Sequence, residues 1–195
     1  MSRGYGAIAQ TEYVRAAQVR LGSRAAVARR ERSGAPEPTD PEPRDPLTAT
    51  EQAFIGERDG FYLASVSESG WPYVQFRGGP PGFVRSPDAA TLAWAEFRGN
   101  RQYISTGNVA DDGRVALFFM DYPNQLRLKV FGRARFVDAR DHPEVVADLT
   151  VDGYRAVVEQ AVLVTVVAFD WNCPQHITPR FSGVELEHLL DPNGA

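Results

Sequence analysis

A mainly β domain with accessory helices, built as an antiparallel barrel, is the fold this sequence predicts, and three observations predict it. Short runs of β-branched and aromatic residues recur along the chain, clusters of turn residues separate them, and the regular strand–helix alternation of a doubly wound sheet is missing. About seven strands are expected, at 61–66, 72–77, 82–85, 91–95, 114–121, 127–137 and 162–171. Glu68-Ser69-Gly70 supplies turn chemistry between the first two, so they read as a hairpin.

The helices fall between and before these strands. Thr48 or Thr50 caps a short helix running to about Arg58, and Glu51 stands three residues after Thr48 in capping-box spacing. Helical stretches are expected near 102–109 and 141–160. Ahead of the barrel, Val14, Ala17, Leu21, Ala25 and Ala28 recur at spacings of three and four, a helical stripe over 11–32. Residues 33–46 are dense in Pro and acidic side chains, which stops any helix and makes an extended linker. The chain therefore divides into a basic N-terminal helix (1–32), a linker (33–46) and a barrel domain (47–195).

With 195 residues, 43% of them hydrophobic, the chain can bury one good core. Its net charge is -4, unevenly placed: seven Arg against two Glu give residues 1–32 a charge of +5, and the remainder carries -9. An acidic body argues against a nucleic-acid partner, because a phosphate backbone selects a basic surface. The basic arm could touch a membrane or an anion, but it is expected to pack on its own acidic domain. Cys173 is the only cysteine, which rules out an intrachain disulfide. No stretch reaches the ~18 apolar residues of a membrane span, so no membrane partner and a cytoplasmic location are expected.

Chemistry concentrates in a few places. Gln75, Arg77, Gly78 and Gly79 end a strand: the Arg fork suits phosphate, and the glycines let backbone N–H groups approach a ligand, although Gly-Gly-Pro-Pro is equally a plain turn. Phe97-Arg98-Gly99-Asn100-Arg101-Gln102-Tyr103-Ile104-Ser105 packs anion donors into one turn. There Asn100 is expected to cap the following helix and to aim its first N–H groups at an anion. Arg127 and Lys129, two apart in a strand, share a face that either binds an anion or is simply wet. The aromatic, Pro-stiffened loop from Trp171 and Asn172 to Arg180 suits a flat heteroaromatic ring. Cys173 and His176 have no second ligand pair, so no metal site is expected. Walker A, nucleophile-elbow and Gly-x-Gly-x-x-Gly patterns are all missing, which leaves flavin mononucleotide, FMN, as the phosphate-bearing aromatic ligand.

In these motifs, joined by Arg114-Val115-Ala116-Leu117-Phe118, the chain resembles the FMN-binding split-barrel proteins related to pyridoxamine 5′-phosphate oxidase, over roughly residues 50–179. The resemblance implies a split barrel and a homodimer with two flavin sites at the interface. It places Gln75, Arg77 and Gly78 along the ring and ribityl chain. Asn100, Arg101, Gln102, Tyr103 and Ser105 would hold the phosphate and ribityl oxygens, Trp171 and Asn172 would come from the second subunit, and Arg127 or Lys129 would face the reduced ring. The Arg-rich C-terminal substrate segment of the vitamin B6 oxidase is not recognisable, so pyridoxamine phosphate is not the expected substrate. The expected activity is FMN-dependent oxidoreduction with a small molecule or NAD(P)H. No acid–base residue is assigned, because hydride passes through the flavin. A non-catalytic flavin-binding or flavin-sensing module is the alternative, and a haem-binding barrel a third.

Overall fold

The structure is a computed structural model that describes residues 3–32 and 45–190. Seven strands form one antiparallel sheet: β1 (Gly60–Val66), β2 (Pro72–Gly78), β3 (Arg85–Asp88), β4 (Thr91–Phe97), β5 (Arg114–Asp121), β6 (Leu126–Asp138) and β7 (Val158–Trp171). Their order is β2-β1-β5-β6-β7-β4-β3. The sheet curls into a split barrel whose free edges are β2 and β3.

Alternation decides which side chains fill the barrel. In β5 the buried residues are Val115, Leu117, Phe119 and Asp121, every second position. Register carries the pattern across the sheet: Leu63 of β1 sits opposite Leu117, which sits opposite Val130 of β6, and all three are fully buried. Phe61 packs edge-on against Trp94 of β4, with ring centroids 5.1 Å apart, and tilts against Phe119 at 4.9 Å. Aromatic rings thus tie the strands near one edge to those near the other. Gly132 stands at a bulge in the β6–β7 pairing, where a Cβ would collide with Val164 and with the Thr165 carbonyl.

Helix α4 (Ala49–Gly56) begins as the Thr-x-x-Glu spacing requires: Thr48 caps it, and the Thr48 N–H donates to Glu51 at 3.0 Å. Helices α5 (Ile104–Asp111), α6 (Pro143–Ala147) and α7 (Gly183–Leu190) complete the body.

Four sequence expectations need correction. The single helical stripe over 11–32 is two helices, α2 (Glu12–Arg20) and α3 (Arg24–Arg32), separated at Gly22, whose φ of +76° ends a helix at no steric cost; a further helix, α1 (Arg3–Ala9), precedes them. Only α1 packs extensively on the barrel. Tyr5 stacks on Phe131 at 4.7 Å, whereas α2 buries no residue, so most of the basic arm does not lie on its own body. The third strand begins at Arg85 rather than Gly82, because Gly82 is needed at φ +86° in the preceding turn. Of the helix expected over 141–160, only Pro143–Ala147 forms: Gly153 turns the chain at φ +78°, and 158–160 are drawn into β7 by pairing with β4 and β6. Of the linker, residues 33–44 lie outside the described residues, and Asp45 already donates its N–H to Val167 of β7. No helix among the described residues is long and apolar enough to cross a membrane.

Candidate functional site

The split lies between β2 and β4. Strand β3 covers β4 only as far as Ala93, so Trp94 to Phe97 lack a ladder partner on that side, and the β2 edge approaches them without pairing. The gap is a cleft of about 240 Å³ lined by Gln75, Arg77, Gly78, Trp94, Glu96 and Arg98 among others. Gln75 and Arg77 face inward, since they sit opposite the buried Leu63 and Phe61 in the register. Gly78 pairs with Gly60, and the Phe76 ring lies so close to both that neither position has room for a Cβ.

An ion pair crosses the cleft: the Arg77 guanidinium donates to Glu96 at 3.0 Å, and the Trp94 indole N–H donates to the other Glu96 oxygen at 3.2 Å. Burial pushes the Glu96 carboxyl above its ordinary range, although Arg77 and Trp94 pull the other way. Nε of Arg77 is buried and has no acceptor. A buried charged donor left open costs free energy, on the order of 1–3 kcal/mol, so this atom points to a missing acceptor.

The turn from β4 into α5 closes the mouth of the cleft. Asn100 is not the helix cap expected of it. Its side chain instead accepts from the Gln102 N–H at 3.1 Å, and the cap position falls to Tyr103. Arg101 and Tyr103 both have positive φ, 61° and 51°, an uncommon conformation for non-glycine residues. No side chain caps α5, so the first-turn N–H groups keep their capacity for an anion. Ser105, fully buried in that turn, donates to Gln75 at 3.1 Å, and Asn108 donates to Ser65 at 3.0 Å, fastening α5 onto β2 and β1.

Beyond Arg98 the cleft continues into a groove of about 560 Å³ bordered by Arg98, Arg101, Tyr103 and Glu159. Arg98 pairs with Glu159 at 2.8 Å. The Tyr103 hydroxyl donates to the other Glu159 oxygen at 3.0 Å and accepts from Arg101 at 3.2 Å. Burial raises the Glu159 carboxyl, but the hydrogen bonds from Arg98 and Tyr103 outweigh it and hold the group below its usual range.

Gln75, Arg77 and Gly78 thus line the cleft and Arg101 and Tyr103 border the groove, Ser105 is bonded to Gln75, and Asn100 and Gln102 belong to the turn beside them without lining either cavity. Arg127, Lys129, Trp171 and Asn172 form a second cluster at another corner and line neither cavity. Arg127 and Lys129 lie on the outer face, since they alternate with the buried Leu128 and Val130. Arg127 donates through Nη2 to the Cys173 carbonyl at 3.2 Å while its buried Nε, like that of Arg77, has no acceptor, and Asn172 donates its N–H to the Arg127 carbonyl at 3.1 Å. Lys129 lies 3.6 Å from Asp170 and 4.5 Å over the Tyr5 ring. Trp171 donates to Glu51 at 2.7 Å and packs edge-on against Phe54. Glu96 and Glu159 are site residues that the sequence pattern does not reveal. Glu96 follows an expected strand end by one residue, and Glu159 lies in the stretch expected to be helical.

Among solved structures the chain is similar to HupZ of Group A Streptococcus, with 16% identity over 69% of this chain and all of that one at a TM-score of 0.53, a likeness of fold alone. It is also similar to an FMN-binding protein from Syntrophomonas wolfei (10% identity, 63% of this chain and 85% of that one, TM-score 0.49). A third is a protein related to general stress protein 26, of the pyridoxinephosphate oxidase family, from Clostridium acetobutylicum (14%, 70% and 94%, TM-score 0.46). No curated protein sequence matches. A family model described as pyridoxamine 5′-phosphate oxidase matches residues 47–168, a span from the start of α4 through most of β7 that holds the whole cleft. With the barrel, its split and this match together, the chain belongs to the pyridoxamine 5′-phosphate oxidase family.

Proposed function

We propose that this chain binds FMN at the β2–β4 cleft and works, as a homodimer, as an FMN-dependent oxidoreductase on a small molecule or NAD(P)H. The observation that carries the reading is the open Arg77 Nε inside a cleft whose mouth is an uncapped helix turn flanked by Arg98 and Arg101. These residues fit the ligand: Arg101 and Gln102 with the first turn of α5 take the phosphate, and Gln75, Arg77 and Gly78 lie along the ring and ribityl chain. Asn100 and Tyr103 shape the turn, and Ser105 holds Gln75 in place. When bound, FMN supplies two-electron hydride chemistry, and the protein's part is to orient it and to keep its face open to the substrate.

A second subunit is part of the proposal. Val66, Trp71, Val74 and Phe76 are exposed along β1, β2 and their hairpin, an apolar face suited to a second copy. Trp171 and Asn172 of that copy would close over the ring, with Arg127 or Lys129 placing positive charge beside it.

Protein incubated with FMN and freed of excess is expected to be yellow, with absorbance near ~450 nm that dithionite bleaches. Light scattering is expected to give twice the 21.5 kDa of one chain. Colourless protein, or a Soret band in protein as purified, contradicts the cofactor assignment; bound FMN that NADH, NADPH and other donors reduce no faster than free FMN makes the chain a binding module instead.

A further inference from the structure

Glu96 has no part in holding the ligand as described above, yet it lies inside the cleft. Its carboxylate takes one side of the Arg77 guanidinium at 3.0 Å, and both side chains are largely buried, 13% and 16% exposed. A guanidinium has five N–H donors in a rigid fork, and here the Nε donor remains open. A ligand acceptor that meets Nε therefore competes with Glu96 for the guanidinium in a poorly solvated space. A buried carboxylate that loses part of its counter-charge favours its protonated form.

We propose that Glu96 is a positioning residue that holds Arg77 before a ligand arrives and takes up a proton from solvent when a ligand acceptor draws that guanidinium away from it. This rests on the FMN reading of the cleft and adds its proton linkage.

Among the described residues, Arg77 is the counter-charge of Glu96. On β2 the titratable neighbours are Arg77 itself and Tyr73, which interacts with it. Along β4, Arg98 is already paired with Glu159 of β7, and Trp94 donates a neutral hydrogen bond. Gln160, opposite Glu96 in the β4–β7 register, is neutral, and α5 presents Ser105 and Asn108 toward β2 and β1. Burial already favours the protonated carboxyl, so drawing Arg77 toward a ligand raises its proton affinity further. The sign follows: bound protein holds more protons than free protein, so affinity rises as pH falls, by up to about tenfold per pH unit across the window between the free and bound titrations. The ligand phosphate, whose second ionisation lies near ~6, works in the opposite direction, so a variant is needed to separate the two.

The test is FMN titration of the apoprotein by flavin fluorescence at pH values from about 6 to 8, together with calorimetry in PIPES and imidazole buffers, whose ionisation heats differ. Wild type is expected to take up as much as one proton per FMN more than E96Q, read as a buffer-dependent heat. Relative to E96Q, its Kd is expected to rise by up to about tenfold per pH unit, and E96D is expected to restore that dependence. Equal proton counts in wild type and E96Q overturn the proposal, with E96A as the second variant should E96Q fail to fold, and so does an E96Q pH profile that matches wild type. FMN bound with the same proton count in wild type and variant sinks only this inference, whereas no FMN bound at any pH sinks the cofactor reading and this with it.

Discussion

Two corners of the barrel gather polar side chains, and they differ in how far the chain satisfies its own groups. At the β6–β7 corner, Trp171 is bonded to Glu51, Lys129 faces Asp170, and Asp121 pairs with Arg58 at 2.7 Å while accepting from the Asn124 N–H at 3.0 Å. At the β2–β4 mouth α5 starts without a cap, whereas α4 at the first corner is closed by the Thr48–Glu51 capping box. The other features are shared: each corner holds a buried Arg Nε without an acceptor, Arg127 and Arg77, and two non-glycine residues at positive φ, Gln125 and His176 against Arg101 and Tyr103. Satisfied networks stabilise a fold, whereas a helix start left without a cap keeps its first N–H groups for an outside acceptor. The first corner therefore belongs mainly to folding within one protomer, and the second is built to be completed from outside. In the proposed dimer, Trp171 and Asn172 serve both purposes.

Substitutions in the two corners should separate these roles. The largest expected loss of stability comes from Trp171→Ala, which removes the packing against Phe54 and leaves Glu51 without its indole donor. It should cost about 3 kcal/mol or more, read as a lower urea midpoint. Asp121→Asn removes the buried carboxylate beside Arg58, whose remaining ion-pair partner is the exposed Glu57 at 3.0 Å, and should cost about 2 kcal/mol.

The Asp121 change also has a pH signature. Burial alone would raise this carboxyl, but hydrogen bonds from Asn124 and Arg58 outweigh it, so its folded pKa lies below the ordinary 3.8. Its stabilisation is therefore present above that ordinary value and is lost as pH falls through the folded one. The gap between wild type and D121N should narrow as urea melts are repeated at pH values falling from 5 toward 2; a constant gap would detach Asp121 from the pairing. The smallest expected effect on stability is that of Ser105→Ala, about 1 kcal/mol for the hydrogen bond to Gln75 that it removes. If S105A melts far earlier than that, the mouth carries more of the folding energy than its open donors imply.

Much of this is legible in the residues. Alternation at Val115, Leu117 and Phe119 and the Thr48–Glu51 spacing are local signals, and the strand and cap they imply are present. The β4–α5 turn shows itself in sequence as a cluster of polar residues, but its geometry does not. Asn100 has the chemistry of a cap, yet its side chain is used two residues on, and Arg101 and Tyr103 adopt a backbone conformation that their side chains do not announce. Glu159 is hidden because 158–160 have no strand signal of their own and become strand only by pairing with β4 and β6, a long-range effect. Glu96 becomes conspicuous only through Arg77, nineteen positions away in sequence and 3.0 Å away in space.

Everything proposed for the cleft depends on the β2–β4 mouth, with its helix turn, holding the FMN phosphate. The decisive measurement is equilibrium titration of FMN into wild type and the Arg101→Ala, Gln102→Ala double variant, with urea melts of both as a control on folding. Removing two charge-assisted hydrogen bonds should weaken binding by about 3 kcal/mol, roughly a hundredfold in Kd, with the melting midpoint unmoved. Equal affinity in the two proteins would place the phosphate elsewhere and overturn the proposed site.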